Sequence, residues 1–172
     1  MDHKDIEAPI DEQILAACRF VKLNMKVGAY KSPGRVEVPQ YSMPAIFEAV
    51  VNAVAHRDYS IYGSKIRLHM FADRLELFSP GSLLNTLKID SLHLRQVSRN
   101  ELITSLLARS PIGMEGLSET RQYMMDKRGE GVPIILQKSK ALSGKKPLYR
   151  LIDEAELLLT IYAAEPSHTE IS

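Results

Sequence analysis

The segment from Met43 to Asp58 constrains the fold of this chain more than any other segment does. It contains no glycine, and its proline, Pro44, comes two residues after Ser42, a residue type that caps helices well. We therefore expect a helix that is capped by Ser42 and runs to about His56 or Arg57. On a helical projection its apolar side chains fall on one stripe: Met43, Ile46, Phe47, Val50, Val51 and Val54. Such a stripe must be buried, so the rest of the chain has to supply a second layer.

The alternating segments of the chain predict that this second layer is an antiparallel sheet. Two β-hairpins are expected, each from two alternating segments joined by a short turn. Their strands span residues 65–71 and 74–78 in the first hairpin, and residues 147–152 and 156–163 in the second. Asp153-Glu154 is expected to form the second turn, and Ser79-Pro80-Gly81 is expected to break the strand that precedes it.

Several other segments predict helices. These helices span residues 11–24, 88–96, 100–109, 117–127 and 132–141. Residues 25–40 contain Pro33 and Gly34 and predict an extended connector. Helices and hairpins segregated in this way are typical of an α+β fold, in which helices cover one face of a mostly antiparallel sheet. A doubly wound parallel sheet would need a regular alternation of strands and helices, which this order lacks.

The charge of the chain argues against nucleic-acid binding by this segment alone. Its 22 basic and 21 acidic residues nearly cancel, whereas a domain that neutralises phosphates carries a clear basic excess. The single cysteine, Cys18, allows no internal disulfide, and its place in a helical apolar pattern predicts a small buried hydrophobe. No apolar run approaches the roughly 18 residues of a membrane span, and the first residues lack a signal peptide. We therefore expect a cytoplasmic protein that has no membrane partner.

A row of polar side chains lies opposite the apolar stripe of the predicted helix. Glu48, Asn52 and His56 stand one turn apart, and their neighbours on this face are alanines rather than lysines or arginines. A carboxylate can polarise a water for attack on a phosphate, and an amide oxygen is a suitable ligand for Mg²⁺. The row is therefore suited to a nucleotide and a metal, although a lightly charged surface helix would show the same pattern.

One longer stretch resembles a known family. Residues 48–60 end in His56-Arg57-Asp58-Tyr59-Ser60, and a predicted hairpin that ends in Ser79-Pro80-Gly81 follows them. This arrangement resembles the C-terminal domain of RecG-related, Schlafen/AlbA-type bacterial regulators, and the resemblance extends from about Val27 through the final hairpin. That domain is similar to the GHKL ATPases, among them gyrase B, MutL and the histidine kinases. The resemblance therefore implies a GHKL-like (HATPase-like) two-layer sandwich.

The resemblance also implies a cofactor and roles for individual residues. Glu48 matches the water-activating glutamate of the GHKL proteins, and Asn52 matches their magnesium-binding asparagine, so ATP and Mg²⁺ are the implied cofactors. His56 continues the same row and is placed with the nucleotide-binding residues. Ser79 stands where those proteins have an adenine-binding aspartate, and Gly81 keeps the glycine turn that follows. A serine can accept a hydrogen bond but has no charge, which weakens the expectation of adenine recognition.

A second glycine motif precedes the predicted helix 132–141. Gly129 and Gly131 lie in Arg128-Gly129-Glu130-Gly131, which resembles the second glycine box of the GHKL proteins. Glycines in front of a helix can present backbone N–H groups to phosphates. An ordinary turn that breaks a helix is the alternative interpretation.

The expected function is ATP binding within a RecG-related protein that is DNA-associated or regulates transcription. Hydrolysis, if it occurs, is expected to be slow. The chain has no helicase motor of its own, because Gly144-Lys145-Lys146 has neither the earlier glycine nor the following hydroxyl residue of a Walker A loop. The alternative is a non-catalytic scaffold or interaction domain that has lost ATP binding.

The resemblance also leads to expectations about organisation and partners. In the family this domain usually follows an AlbA-like DNA-binding domain, so we expect the chain to be the C-terminal piece of a longer protein that contacts DNA only through that other domain. Residues 1–40 are expected to be a helix and connector from the longer protein, residues 41–163 the nucleotide-binding domain, and residues 164–172 a polar tail. A nucleotide is the expected ligand, and a homodimer is compatible with the resemblance.

Overall fold

The alternating and helical segments of the sequence form two antiparallel sheets and four helices. The structure is a computed structural model, and it describes residues 4–82, 89, 99–126 and 129–165. The helices are α1 (Ile10–Asn24), α2 (Met43–His56), α3 (Glu101–Leu107) and α4 (Gly131–Ser143). The strands are β1 (Val27–Ser32), β2 (Gly34–Pro39), β3 (Arg67–Met70), β4 (Arg74–Pro80), β5 (Leu148–Ile152) and β6 (Glu156–Tyr162). None of the described helices is long and apolar enough to cross a membrane.

The four-stranded sheet has the order β3-β4-β6-β5, and each neighbouring pair is antiparallel. Because successive side chains of a strand point to opposite faces, one set of leucines and isoleucines faces the helices. Leu75 and Leu77 of β4 lie opposite Ile161 and Leu159 of β6, and all four side chains are buried. The predicted α+β fold, with helices on one face of an antiparallel sheet, is confirmed.

The helical layer is centred on α2, which packs against β4, α1 and α4. Its apolar stripe is buried as the sequence predicts, and Ile14, Cys18 and Val21 of α1 are completely buried in the same core. Burial raises the pKa of the Cys18 thiol to about 12. The interpretation of Cys18 as a small buried hydrophobe is therefore confirmed.

The first sheet of the chain was not predicted. Residues 25–40 are extended, as expected, but they form the hairpin β1–β2 rather than a connector, with register from Val27 opposite Pro39 to Ser32 opposite Gly34. The physical reason is that Pro33 alone forms the bend between the two strands, and that valine, a residue type that favours strands, occurs at Val27, Val36 and Val38.

The predicted helix 117–127 is wrong over its described residues, 117–126, which contain bends and an isolated bridge between Tyr123 and Pro111 instead. The Ser118 hydroxyl accepts hydrogen bonds from the backbone N–H groups of Thr120 and Arg121, which competes with helix formation. The segment also folds back on residues 110–112, since the amide of Ile112 donates to the carbonyl of Gln122.

Two smaller expectations also differ from the structure. Strand β4 continues through Ser79 and ends at Pro80, so the predicted break comes later than the sequence indicates. The predicted helix 88–96, except for its second residue, lies outside the described residues. Helices α3 and α4 and the hairpin β5–β6 occur where they were predicted.

Candidate functional site

The polar row of α2 faces the beginning of α4. Glu48 is only 4% exposed, and Asn52 is partly buried. Both side chains lie against the backbone of Gly131, the first residue of α4: a Cβ atom built there would be 2.8 Å from Asn52 Nδ2 and 3.1 Å from Glu48 Oε2. Glycine therefore allows this close approach, which a larger residue would permit only if the Asn52 side chain moved, and three residues singled out from the sequence come together at one place.

Arg121 is a further residue of this site, and the sequence analysis missed it. Its Nη1 atom lies 2.6 Å from Glu48 Oε1, and the side chains of Arg121 and Glu48 are 13% and 5% exposed. Arg121 also donates from Nε to the carbonyl of Tyr123 at 2.9 Å and from Nη2 to the carbonyl of Met124 at 2.8 Å. Its guanidinium group is 5.5 Å from the centre of the Phe47 ring. No periodic signal marks this arginine, because it lies in the irregular segment after α3.

The electrostatic surroundings of Glu48 are mainly acidic. Burial raises the pKa of the Glu48 carboxyl, and the adjacent Arg121 guanidinium opposes this effect. The charges of Asp126 and Glu130 raise the pKa of Glu48 further. Among the described residues whose charges shift the pKa of Glu48 in this way, Arg121 is the positive one.

His56 lies at the end of α2, beyond this cluster. Burial lowers the pKa of His56, and the positive charge of Arg99 lowers it further. The described contacts do not bring the imidazole to Glu48, Asn52 or Gly131.

Ser79 and Gly81 hold β4 against the end of α2. The Ser79 hydroxyl donates to the carbonyl of Ala53 at 3.1 Å. Gly81 has a φ of +124°, and a Cβ atom built there would lie 2.9 Å from Asp58 Cβ. The amide of Gly81 donates to the carbonyl of Ala155 at 2.7 Å. The proton of Ser79 is therefore used inside the fold, and Gly81 is needed for both its backbone conformation and its close packing.

The motif His56-Arg57-Asp58-Tyr59-Ser60 forms a turn that closes the end of α2. The Arg57 guanidinium donates to the carbonyl of Ser64 at 2.7 Å and lies 4.9 Å from the centre of the Tyr59 ring. The Tyr59 hydroxyl donates back to the carbonyl of Val54 at 2.7 Å. The side chains of Arg57 and Tyr59 therefore have structural roles in this turn that do not depend on a ligand.

The second glycine motif lies at the beginning of α4. Gly129 adopts a φ of +73°, and Gly131 is the first helical residue. The first backbone N–H that donates within this helix is that of Ile134, whose acceptor is the carbonyl of Glu130. The N–H groups of Gly131 and Val132 therefore have no acceptor within the helix.

The residues at the junction of α2 and α4 have the chemistry that a magnesium-bound phosphate requires. Asn52 and Glu48 supply hard oxygen atoms, and the missing Cβ of Gly131 lets a backbone approach them closely. In the described parts of the chain, no group of three or more His, Cys, Asp or Glu side chains is placed to hold a metal ion.

Comparison with known proteins identifies a family and a fold. A family model described as "Putative ATP-dependent DNA helicase recG C-terminal" matches residues 63–161, which begin before β3 and end within β6. The residues of α2, including Glu48 and Asn52, precede the matched segment. No curated protein matches the chain.

A solved structure shares the fold. The crystal structure of the DIP2311 protein from Corynebacterium diphtheriae superposes with a TM-score of 0.74 at 21% sequence identity. The superposition covers 90% of this chain and 30% of that protein, so the present chain spans less than a third of its length. At this level of identity the similarity concerns the fold alone.

Proposed function

The chain belongs to the family of RecG-related, HATPase-like C-terminal domains, and from this premise we propose that it binds a Mg²⁺-nucleotide at the junction of α2 and α4. The convergence of Glu48, Asn52 and Gly131 supports this proposal most directly, because the polar row of α2 and the glycine motif of α4 were predicted separately from the sequence. ATP is the nucleotide that the family description suggests.

Each residue of the junction has a distinct role in this proposal. Gly131 lets the beginning of α4, with its unused backbone amides, approach Glu48 and Asn52 closely, and the Asn52 amide oxygen would hold Mg²⁺. Bound Mg²⁺ supplies positive charge next to the phosphates. Glu48 would hold a water and accept its proton: burial raises the pKa of its carboxyl, and Arg121 opposes that rise. The same carboxylate is already bonded to Arg121, which limits its contact with a water. Hydrolysis is therefore expected to be slow.

The wider role follows from the same premise. The chain acts within a RecG-related protein that is DNA-associated or regulates transcription, and DNA is contacted through a separate domain. The nearly balanced charge of the chain supports this division.

A scaffold domain without nucleotide binding is the second candidate, and two contacts favour it. The Glu48 carboxylate is paired with Arg121, and the Ser79 hydroxyl donates to the carbonyl of Ala53. Two residues that would serve a nucleotide are therefore already bonded within the fold.

Thermal unfolding with and without Mg²⁺-ATP separates the two candidates. Ligand at about 100 times its dissociation constant adds roughly 2.7 kcal/mol to the free energy of unfolding if it binds only the folded state. Unchanged melting at millimolar Mg²⁺-ATP would favour the scaffold.

Calorimetric titration of two variants tests the separate roles of Glu48 and Asn52. Glu48→Gln keeps an oxygen for Arg121 but removes the base, so we expect turnover to fall about 10²-fold or more while affinity stays within a few fold of the wild type. Asn52→Ala removes the metal ligand, so the affinity itself should fall in Mg²⁺ but not in chelator. Equal effects of both variants, independent of Mg²⁺, would contradict these assignments.

A further inference from the structure

We propose that Arg121 binds the phosphate groups of the nucleotide, an inference that rests on the function proposed above. The charges around Glu48 favour such a residue. Glu48, Asp126 and Glu130 would all repel an anionic ligand, and Arg121 is the positive charge among the described residues that acts at this place. A positive charge from the chain reduces this repulsion and would add to the charge that Mg²⁺ supplies.

Hydrogen bonds hold the Arg121 side chain in one orientation. Two of its N–H groups donate to the carbonyls of Tyr123 and Met124, which fixes the plane of the guanidinium group. A third N–H donates to Glu48. A guanidinium group has five N–H donors, and the bonds of Arg121 to the described residues use three of them. The carbonyls of Tyr123 and Met124 belong to the same segment as Arg121. Arg121 can therefore keep its position when its guanidinium group also interacts with a ligand.

Glu48 and the phosphate groups of the ligand therefore compete for the guanidinium group of Arg121. Glu48 neutralises Arg121 at 2.6 Å. A phosphate beside Gly131 would take part of that charge, because phosphate and carboxylate are both recognised by the planar donor arrangement of arginine. The removal of the Glu48 charge should then leave Arg121 more available to phosphate.

The test compares Glu48→Gln with the double variant Glu48→Gln/Arg121→Gln. Removal of one partner of a buried ion pair leaves an uncompensated charge and destabilises the fold. Arg121→Gln alone is therefore not used, and the thermal unfolding of Glu48→Gln is measured beside its affinity to show that it is folded. In the double variant neither charge remains. Affinities for Mg²⁺-ATP and for adenosine are measured by calorimetry and by ligand-observed NMR.

We expect Glu48→Gln to bind Mg²⁺-ATP at least as tightly as the wild type, and the double variant to bind it at least about tenfold more weakly than Glu48→Gln. Adenosine has no phosphate, so its affinity should be the same in both variants. A change confined to the phosphorylated ligand is the result that a purely structural role of Arg121 would not produce.

Arg67→Gln is the matched control. Arg67 also pairs with a glutamate, Glu156, at 2.7 Å and also lies over an aromatic ring, that of Phe78 at 4.8 Å. It belongs to β3, at the edge of the sheet and away from α4. Its substitution should change the affinity for Mg²⁺-ATP by less than about twofold.

Two results would overturn the inference while the proposed function stands. The first is equal affinity of Glu48→Gln and the double variant for Mg²⁺-ATP. The second is a parallel loss of Mg²⁺-ATP and adenosine binding in the double variant, which would make Arg121 structural. If the wild type and Glu48→Gln bind neither ligand at millimolar concentration, the proposed function itself fails, and the inference fails with it.

Discussion

At the scale of single residues, two glycines show how a missing Cβ shapes the site. Gly131 lets the beginning of α4 touch Asn52 and Glu48. Gly81 lets the end of β4 touch Asp58, and its φ of +124° is one that other residues rarely adopt. The first glycine serves the candidate site, whereas the second serves the packing of β4 against the turn after α2.

Gly81→Ala tests whether close packing adds to the cost of an unusual backbone conformation. Gly63→Ala is the control, because Gly63 also has a positive φ, +82°, but nothing lies within 4 Å of its Cβ position. We expect Gly63→Ala to lower the free energy of unfolding by about 1 kcal/mol, and Gly81→Ala to lower it by about 2–4 kcal/mol because Asp58 must also move. Urea denaturation measures both. Equal losses would show that the contact with Asp58 is unimportant.

His56 predicts a dependence of stability on pH. Its pKa in the folded protein is lowered from 6.5, first by burial and then by Arg99. Below pH 6.5 the unfolded chain therefore takes up a proton that the folded chain resists, and the free energy of unfolding falls as the pH falls from 6.5 toward the folded pKa. His56→Gln should flatten this slope in denaturant titrations between about pH 7.5 and 5.5. The exposed His69 provides the control, and a slope that only His69→Gln alters would contradict the prediction.

At the scale of elements, the end of α2 is held by side chains from three separate segments. The last carbonyls of a helix have no partner within it. Here Ser79 of β4 donates to Ala53, Tyr59 of the following turn donates to Val54, and Asn100 before α3 donates to Ala55. These bonds fix the direction of the helix that carries the candidate site.

Asn100 should be important for stability. Its Nδ2 donates to the carbonyls of Ala55 at 3.0 Å and Arg57 at 2.7 Å. Asn100→Ala leaves both partly buried carbonyls without this donor, so we expect the free energy of unfolding to fall by about 1–3 kcal/mol. Asn24 makes a comparable bond to Phe20 at the exposed end of α1, and Asn24→Ala should cost less than about 0.5 kcal/mol. The same loss in both variants, measured by chemical denaturation, would refute the argument.

At the scale of the whole molecule, one core joins α1, α2, α4 and the four-stranded sheet. Ile14, Phe47, Leu75, Ile135 and Ile161 come from five different elements, and each is at most 1% exposed. The hairpin β1–β2 contributes no described residue to this core. It is attached at its base, where Gln40 bonds to Lys26 and to Ala72.

Hydrogen exchange should therefore divide the chain into two units. An isolated two-stranded hairpin is marginally stable in water, so the amides of β1 and β2 should exchange by local opening. The amides of β4 and β6 should exchange only by global unfolding, at rates lower by several orders of magnitude. Peptide-resolved mass spectrometry measures this difference. Protection of β1–β2 equal to that of β6 in the monomer would contradict it.

The sequence by itself determined the four described helices, the hairpins β3–β4 and β5–β6, the fold class and one row of the candidate site. The stripe of α2 and the alternation of the two C-terminal hairpins depend on neighbours two to four positions apart. The same helical spacing places Glu48 and Asn52 side by side.

Only the tertiary structure decided what surrounds that row. The path of residues 117–126 depends on the Ser118 hydroxyl and on pairing with residues 110–112, and it brings Arg121 to Glu48. Gly131 reaches the same place because α4 packs on α2. These contacts join residues far apart in sequence, and no periodic pattern records them, since they arise when the elements pack around a shared core.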